Sequence, residues 1–138
     1  VTEVVPMEQP DVAGITEMMS IEPKTMEYFE KILATAKEHD IPVLLINAPY
    51  IVQPDDKKVF NTLEEYLKTQ SVYEHVSYVD FNGMYDEMGL DFANDFADHN
   101  HLNVNGLPKF NNALGSYIEA NYELPDRRGD TAFASYTE

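Results

Sequence analysis

Three stretches of the chain repeat apolar positions with the 3.6-residue period of a helix. In residues 24–38, Met26, Phe29, Ile32, Leu33 and Ala36 share one face, with charges opposite. Pro23 suits the first turn of this helix, where a backbone N–H would have no partner. Residues 55–70 repeat the pattern with Phe60, Leu63, Tyr66 and Leu67, and Asp55 and Asp56 are placed to cap them. Residues 107–121 do so with Leu107, Phe110, Leu114, Tyr117 and Ile118, after a cap at Asn103 or Asn105.

Between these helices lie two runs with the character of strands. Residues 41–49 form a nearly continuous apolar, β-branched run ended by Pro49, which predicts a central parallel strand buried on both faces. Residues 76–81 predict a second, shorter strand that ends in a turn at Asn82-Gly83. The remaining stretches lack a period. Residues 1–22 read as an irregular lead-in with a short strand at 2–5, residues 84–105 as a long loop rich in Asp and Asn, and residues 123–138 as a polar tail.

The order helix, strand, helix, strand, loop, helix describes one α/β domain over residues 1–138, built on a parallel sheet. Two or three strands are fewer than a doubly wound sheet needs, so strands are expected to be missing on the N-terminal side. The apolar edge and face of strand 43–46 would then need a cover. A second copy of the chain, making a homo-oligomer through the sheet edge, or a reorganised segment 1–20 could supply it.

Charge narrows the partners. Nine Lys and Arg stand against 25 Asp and Glu, a formal charge of −16, which repels phosphate backbones and anionic lipids and so argues against nucleic acid. The chain has no cysteine, which removes disulfides and thiolate chemistry. No apolar run approaches the roughly 20 residues of a membrane-spanning helix, so no membrane insertion by this chain is expected. The sequence opens at Val1 without a basic and apolar leader, and any signal or anchor is expected to lie outside these residues.

In open parallel sheets, chemistry collects in the loops beyond the carboxyl ends of strands. The loop after strand 76–81 holds Asp91, Asp95, Asp98, His99 and His101. Asp98 and His101, three apart, can meet in a turn. A carboxylate on one imidazole nitrogen fixes the tautomer and frees the other nitrogen to take a proton from a nucleophile near pH 7. Two other readings stand beside this one: His101 as a structural hydrogen-bonding residue, and Asp95, Asp98, His99 and His101 as ligands of a divalent metal. His99 alternates away from His101 and faces solvent, and His39 and His75 sit in connecting turns with no assigned role. Asn103 and Gly106 have a plain use at a helix start, one capping and the other easing the turn.

The run Asp98-x-x-His101-Leu102-Asn103-x-x-Gly106, preceded by Tyr78-Val79-Asp80 and followed by an amphipathic helix, resembles the C-terminal block of SGNH (GDSL-type) hydrolases. Together with residues 85–92 and 122–130 it is similar to a bacterial subgroup whose members are often associated with the envelope. The resemblance covers roughly the last two thirds of the chain. It implies a partial three-layer, doubly wound, flavodoxin-like parallel sheet with its N-terminal strands missing. It also implies His101 as general base, Asp98 as its orienting partner, and a cell-envelope or extracellular setting. The implied activity is that of a serine esterase or O-acyl transferase without a cofactor, acting on a small-molecule or carbohydrate ester. The family's Gly-Asp-Ser elbow and Gly-x-Asn-Asp segment are absent. Ser20, Ser71, Ser77, Ser116 and Ser135 lack the strand-to-turn setting of a nucleophile. The chain therefore reads as the C-terminal half of such an enzyme, or as a non-catalytic binding module on the same scaffold.

Overall fold

A computed structural model of the chain describes residues 2–69, 74–127 and 129–131. Within them the protein is mixed α/β, with a small parallel sheet and four α-helices. Helix α1 (Pro23–Glu38) starts with Pro23 in its first turn, as the sequence predicts. The Glu22 carboxylate caps it by accepting from the Thr25 N–H at 2.8 Å, and this contact holds Glu22 below the usual carboxylate range. Its far end closes on Asp40, whose φ of 54° places it in the left-handed region. The Ile41 N–H then reaches back to Ala36 O and the Asp40 N–H to Lys37 O, the reciprocal pair that satisfies a helix's last carbonyls.

The chain then enters β1 (Val43–Asn47), which pairs in parallel with β2 (Val76–Asp80), Val43 opposite Val76 and Asn47 opposite Asp80. Helix α2 (Pro54–Thr69) makes the crossover. Its cap runs opposite to expectation: Asp56, inside the first turn, accepts from the Gln53 N–H at 2.9 Å. β1 is not the doubly buried central strand that its apolar run suggests. Every residue in it is half-buried or exposed, because β2 is its one partner among the described residues. A two-stranded sheet also gives α1 a narrow seat, so Leu33 is buried whereas Ile32, expected on the inner face, is exposed.

The larger correction concerns residues 84–105, which are not a loop. After a 3-10 turn (Phe81–Gly83) comes the one-turn helix α3 (Tyr85–Met88), closed by Gly89 at φ 64°. Then β3 (Phe96–Asp98) and β4 (His101–Leu102) form an antiparallel hairpin, and α4 (Gly106–Asn121) follows. These short elements carry the core: Phe81, Tyr85, Met88, Leu90 and Phe96 pack with Ile51 and with Phe110 of α4. Phe81 meets Phe110 edge-on at 5.3 Å, and Phe92 stacks on Phe96 at 5.2 Å. Leu107, assigned to the inner face of α4, is about half exposed.

No strand forms at 2–5, yet the lead-in is tied down. The Val5 N–H donates to Phe96 O and the Met7 N–H to Phe92 O, at 2.9 and 2.8 Å. Further on, the Asn61 amide donates to Ile15 O and Glu17 O, and the Thr62 hydroxyl to Met19 O. The lead-in is thus a strap from β3 to α2. Among the described residues no helix is long and apolar enough to cross a membrane. Part of the tail, residue 128 and residues 132–138, lies outside the described residues.

Candidate active site

Asp98 ends β3 and His101 begins β4, and the two residues are direct cross-strand partners. His99 and Asn100 form the two-residue connection between them, which explains why this spacing brings the side chains together. His101 Nδ1 lies 2.8 Å from Asp98 Oδ1 and 2.9 Å from Oδ2. An ionised carboxylate only accepts, so Nδ1 carries the proton and donates it, which leaves Nε2 as the basic nitrogen. The Asn100 N–H also donates to Asp98 Oδ1, at 2.7 Å. This backbone donor first, and His101 second, hold the Asp98 carboxyl below the usual carboxylate range.

The hairpin stands at the carboxyl edge of the parallel sheet. The segment leaving β1 bonds to its tip through the Ile51 N–H to His99 O, 2.8 Å. The same segment is fastened to the end of β2 by Asn82, a buried residue. Asn82 accepts from the Tyr50 N–H at 2.9 Å and donates to Asp80 Oδ1 at 3.0 Å and to Ala48 O at 3.2 Å. Tyr85 Oη adds a bond to Tyr50 O at 2.7 Å. Sequence reasoning treats Asn82 as a turn residue, and its only local signal is an amide placed where a strand ends.

Below the hairpin the polar side chains are structural. Asp95, 2% exposed, pairs with Lys109 of α4 at 2.6 Å and accepts from the Asp91 N–H. Asn103, also buried, donates to Asn94 O and Phe96 O, and its Oδ1 accepts from the N–H groups of Asn105 and Gly106. Of the two proposed caps, Asn103 therefore makes the capping bonds and the Asn105 side chain does not. Gly106 does more than ease the turn: a Cβ there would collide with Asp95 O and stand 2.9 Å from Asp95 Cβ.

The metal reading loses its convergence. Asp95 is committed to Lys109 and Asp98 to His101, His99 is exposed, and among the described residues no group of three or more His, Asp or Glu comes together. The pair itself is open to water, with 65% of the His101 side chain and 56% of the Asp98 side chain exposed. Among the described residues no serine hydroxyl hydrogen-bonds His101; Ser71 and Ser135 lie outside them. Comparison with protein-family models, curated proteins and solved structures finds no match.

Proposed function

We propose that the chain is the C-terminal half of an SGNH-type serine esterase or O-acyl transferase of the bacterial envelope or exterior, acting on an ester or acylated carbohydrate. In this reading the doubly wound sheet is completed, and the serine supplied, by polypeptide outside these residues. The observation that carries the proposal is the two-oxygen grip of Asp98 on His101 Nδ1, with no hydrogen bond to Nε2 among the described residues. Nε2 takes the serine proton as the hydroxyl attacks the ester carbonyl and returns it to the leaving group, while Asp98 holds the ring and stabilises the imidazolium.

The test uses the longest polypeptide that the gene encodes, assayed with p-nitrophenyl acetate and labelled with a fluorophosphonate. Turnover falls at least about 100-fold on His101→Ala, the usual contribution of a positioned base. The labelled serine lies outside residues 1–138. Undiminished turnover and labelling in His101→Ala overturn the proposal. The openness of the pair favours a second reading, a non-catalytic interaction module, and absence of labelling in the full polypeptide would select it.

A further inference from the structure

A cavity of about 200 Å³ lies under the lead-in strap, at the end of β2. Gln9 and Pro10 of the strap, Val52, Tyr85, Lys57 of α2 and Asp80 are among the residues that line it; neither Asp98 nor His101 does. Its position, outside the carboxyl end of a parallel strand, is where open α/β sheets take small ligands. The charges in its wall are uncompensated. Asp80 Oδ1 accepts from the Asn82 backbone and side-chain amides, whereas Oδ2 has no partner and no cation stands within ion-pair distance, among the described residues. Lys57 Nζ likewise has no hydrogen bond or ion pair among them. The two residues of opposite charge thus line one cavity without forming an ion pair with each other. Burial first and the Asp80 carboxylate second push the Tyr85 phenol upward, so it stays neutral and offers Lys57 no counter-charge.

We propose that this cavity binds a small zwitterion of the amino-acid type, its ammonium on Asp80 and its carboxylate on Lys57. Such a ligand neutralises both wall charges at once and adds nothing to the chain's negative charge. A purely anionic ligand works against that charge. An uncharged polyol can hydrogen-bond both groups but leaves both charges unneutralised. The site is independent of the hydrolase reading, and its test does not depend on turnover.

Amide chemical shifts of the chain, followed during titration with glycine, β-alanine and γ-aminobutyrate, provide the test. Ethylamine, propionate and glucose serve as controls. At least one zwitterion shifts residues 9–13 and 80–83, and binds at least about tenfold more tightly than any control, the effect of one charge-assisted contact. Lys57→Gln, which breaks no side-chain bond among the described residues, brings that zwitterion down to the level of ethylamine. Asp80→Asn keeps an oxygen for the Asn82 amides and removes the preference for an ammonium. Controls that bind as tightly as every zwitterion, or zwitterions that leave these amides unmoved at millimolar concentration, overturn the proposal.

Discussion

The layer formed by β1 and β2 and the block from Phe81 to Asn121 differ in how they use their apolar residues. The first has the more hydrophobic sequence and the weaker burial: no residue of β1 is fully buried, and Ile46 is 38% exposed. The second is broken by Asp, Asn and Gly, yet it buries Phe81, Tyr85, Met88, Leu90, Phe96 and Phe110 together. Hydrophobicity along the chain measures what a segment could bury, whereas burial depends on what stands beside it. The candidate site sits on the well-packed side. The hairpin bearing Asp98 and His101 has Phe96 beneath one strand and Asn103 immediately after the other.

The widest contrast is in stability. Phe96, fully buried and stacked on Phe92, loses about 3–5 kcal/mol as Phe96→Ala, the cost of a large core deletion. Ile46→Ala in β1 costs about 1–1.5 kcal/mol, because over a third of that residue already meets water. Urea unfolding of both variants checks the order. Equal midpoints would mean that the parallel layer carries as much of the fold as the block does.

The same contrast explains how much of the protein the sequence discloses. The long helices α1, α2 and α4 are legible because each repeats its period over enough residues to stand out, and the strands β1 and β2 because each is a short apolar run bounded by proline or turn residues. α3 has a single turn and β4 two residues, so neither completes a period, and the Asp and Asn residues around them imitate a loop. Those polar residues satisfy backbone groups inside the block. Asn103 serves Phe96 O and the start of α4, and Asp95 serves Asp91 and Lys109. The spacing of Asp98 and His101 allows a contact in a turn but does not single it out from a structural or a metal-binding use, and the 2.8 Å contact of the two side chains is what the fold adds. The position of their hairpin at the sheet edge, and the buried role of Asn82, depend on contacts between segments more than thirty residues apart, as Ile51 N–H to His99 O and Tyr50 N–H to Asn82 show.

Within α4 the comparison can be made with a single methyl group. At Gly106 an added Cβ meets the backbone oxygen of Asp95, which cannot move without opening the hairpin. Gly106→Ala therefore costs about 1–3 kcal/mol, an overpacking penalty. At Gly115 the same methyl group meets nothing within 4 Å, and Gly115→Ala stabilises by roughly 0.5–1 kcal/mol through helix propensity. Thermal melting of the two variants gives shifts of opposite sign. A stabilising Gly106→Ala would mean that α4 does not press on Asp95.

The smallest expected effect lies at the site itself, and its direction with pH follows from the geometry. The folded-state pKa of Asp98 is depressed, first by the Asn100 N–H and then by His101, so its ionised form is favoured by folding. The stabilisation that this provides is fully present above the unfolded carboxyl's pKa. It is lost as pH falls through the lower folded value, where protonation removes the charge that strengthens both hydrogen bonds. A carboxyl-carbon titration of the folded chain should place the Asp98 midpoint below the ordinary 3.8. In His101→Ala the midpoint rises only part of the way, because the larger cause, the Asn100 N–H, remains in place. If the midpoint stood at or above 3.8 in the unmodified chain, Asp98 would not be holding the imidazole in solution, and the hairpin would lose the contact on which the proposed base depends.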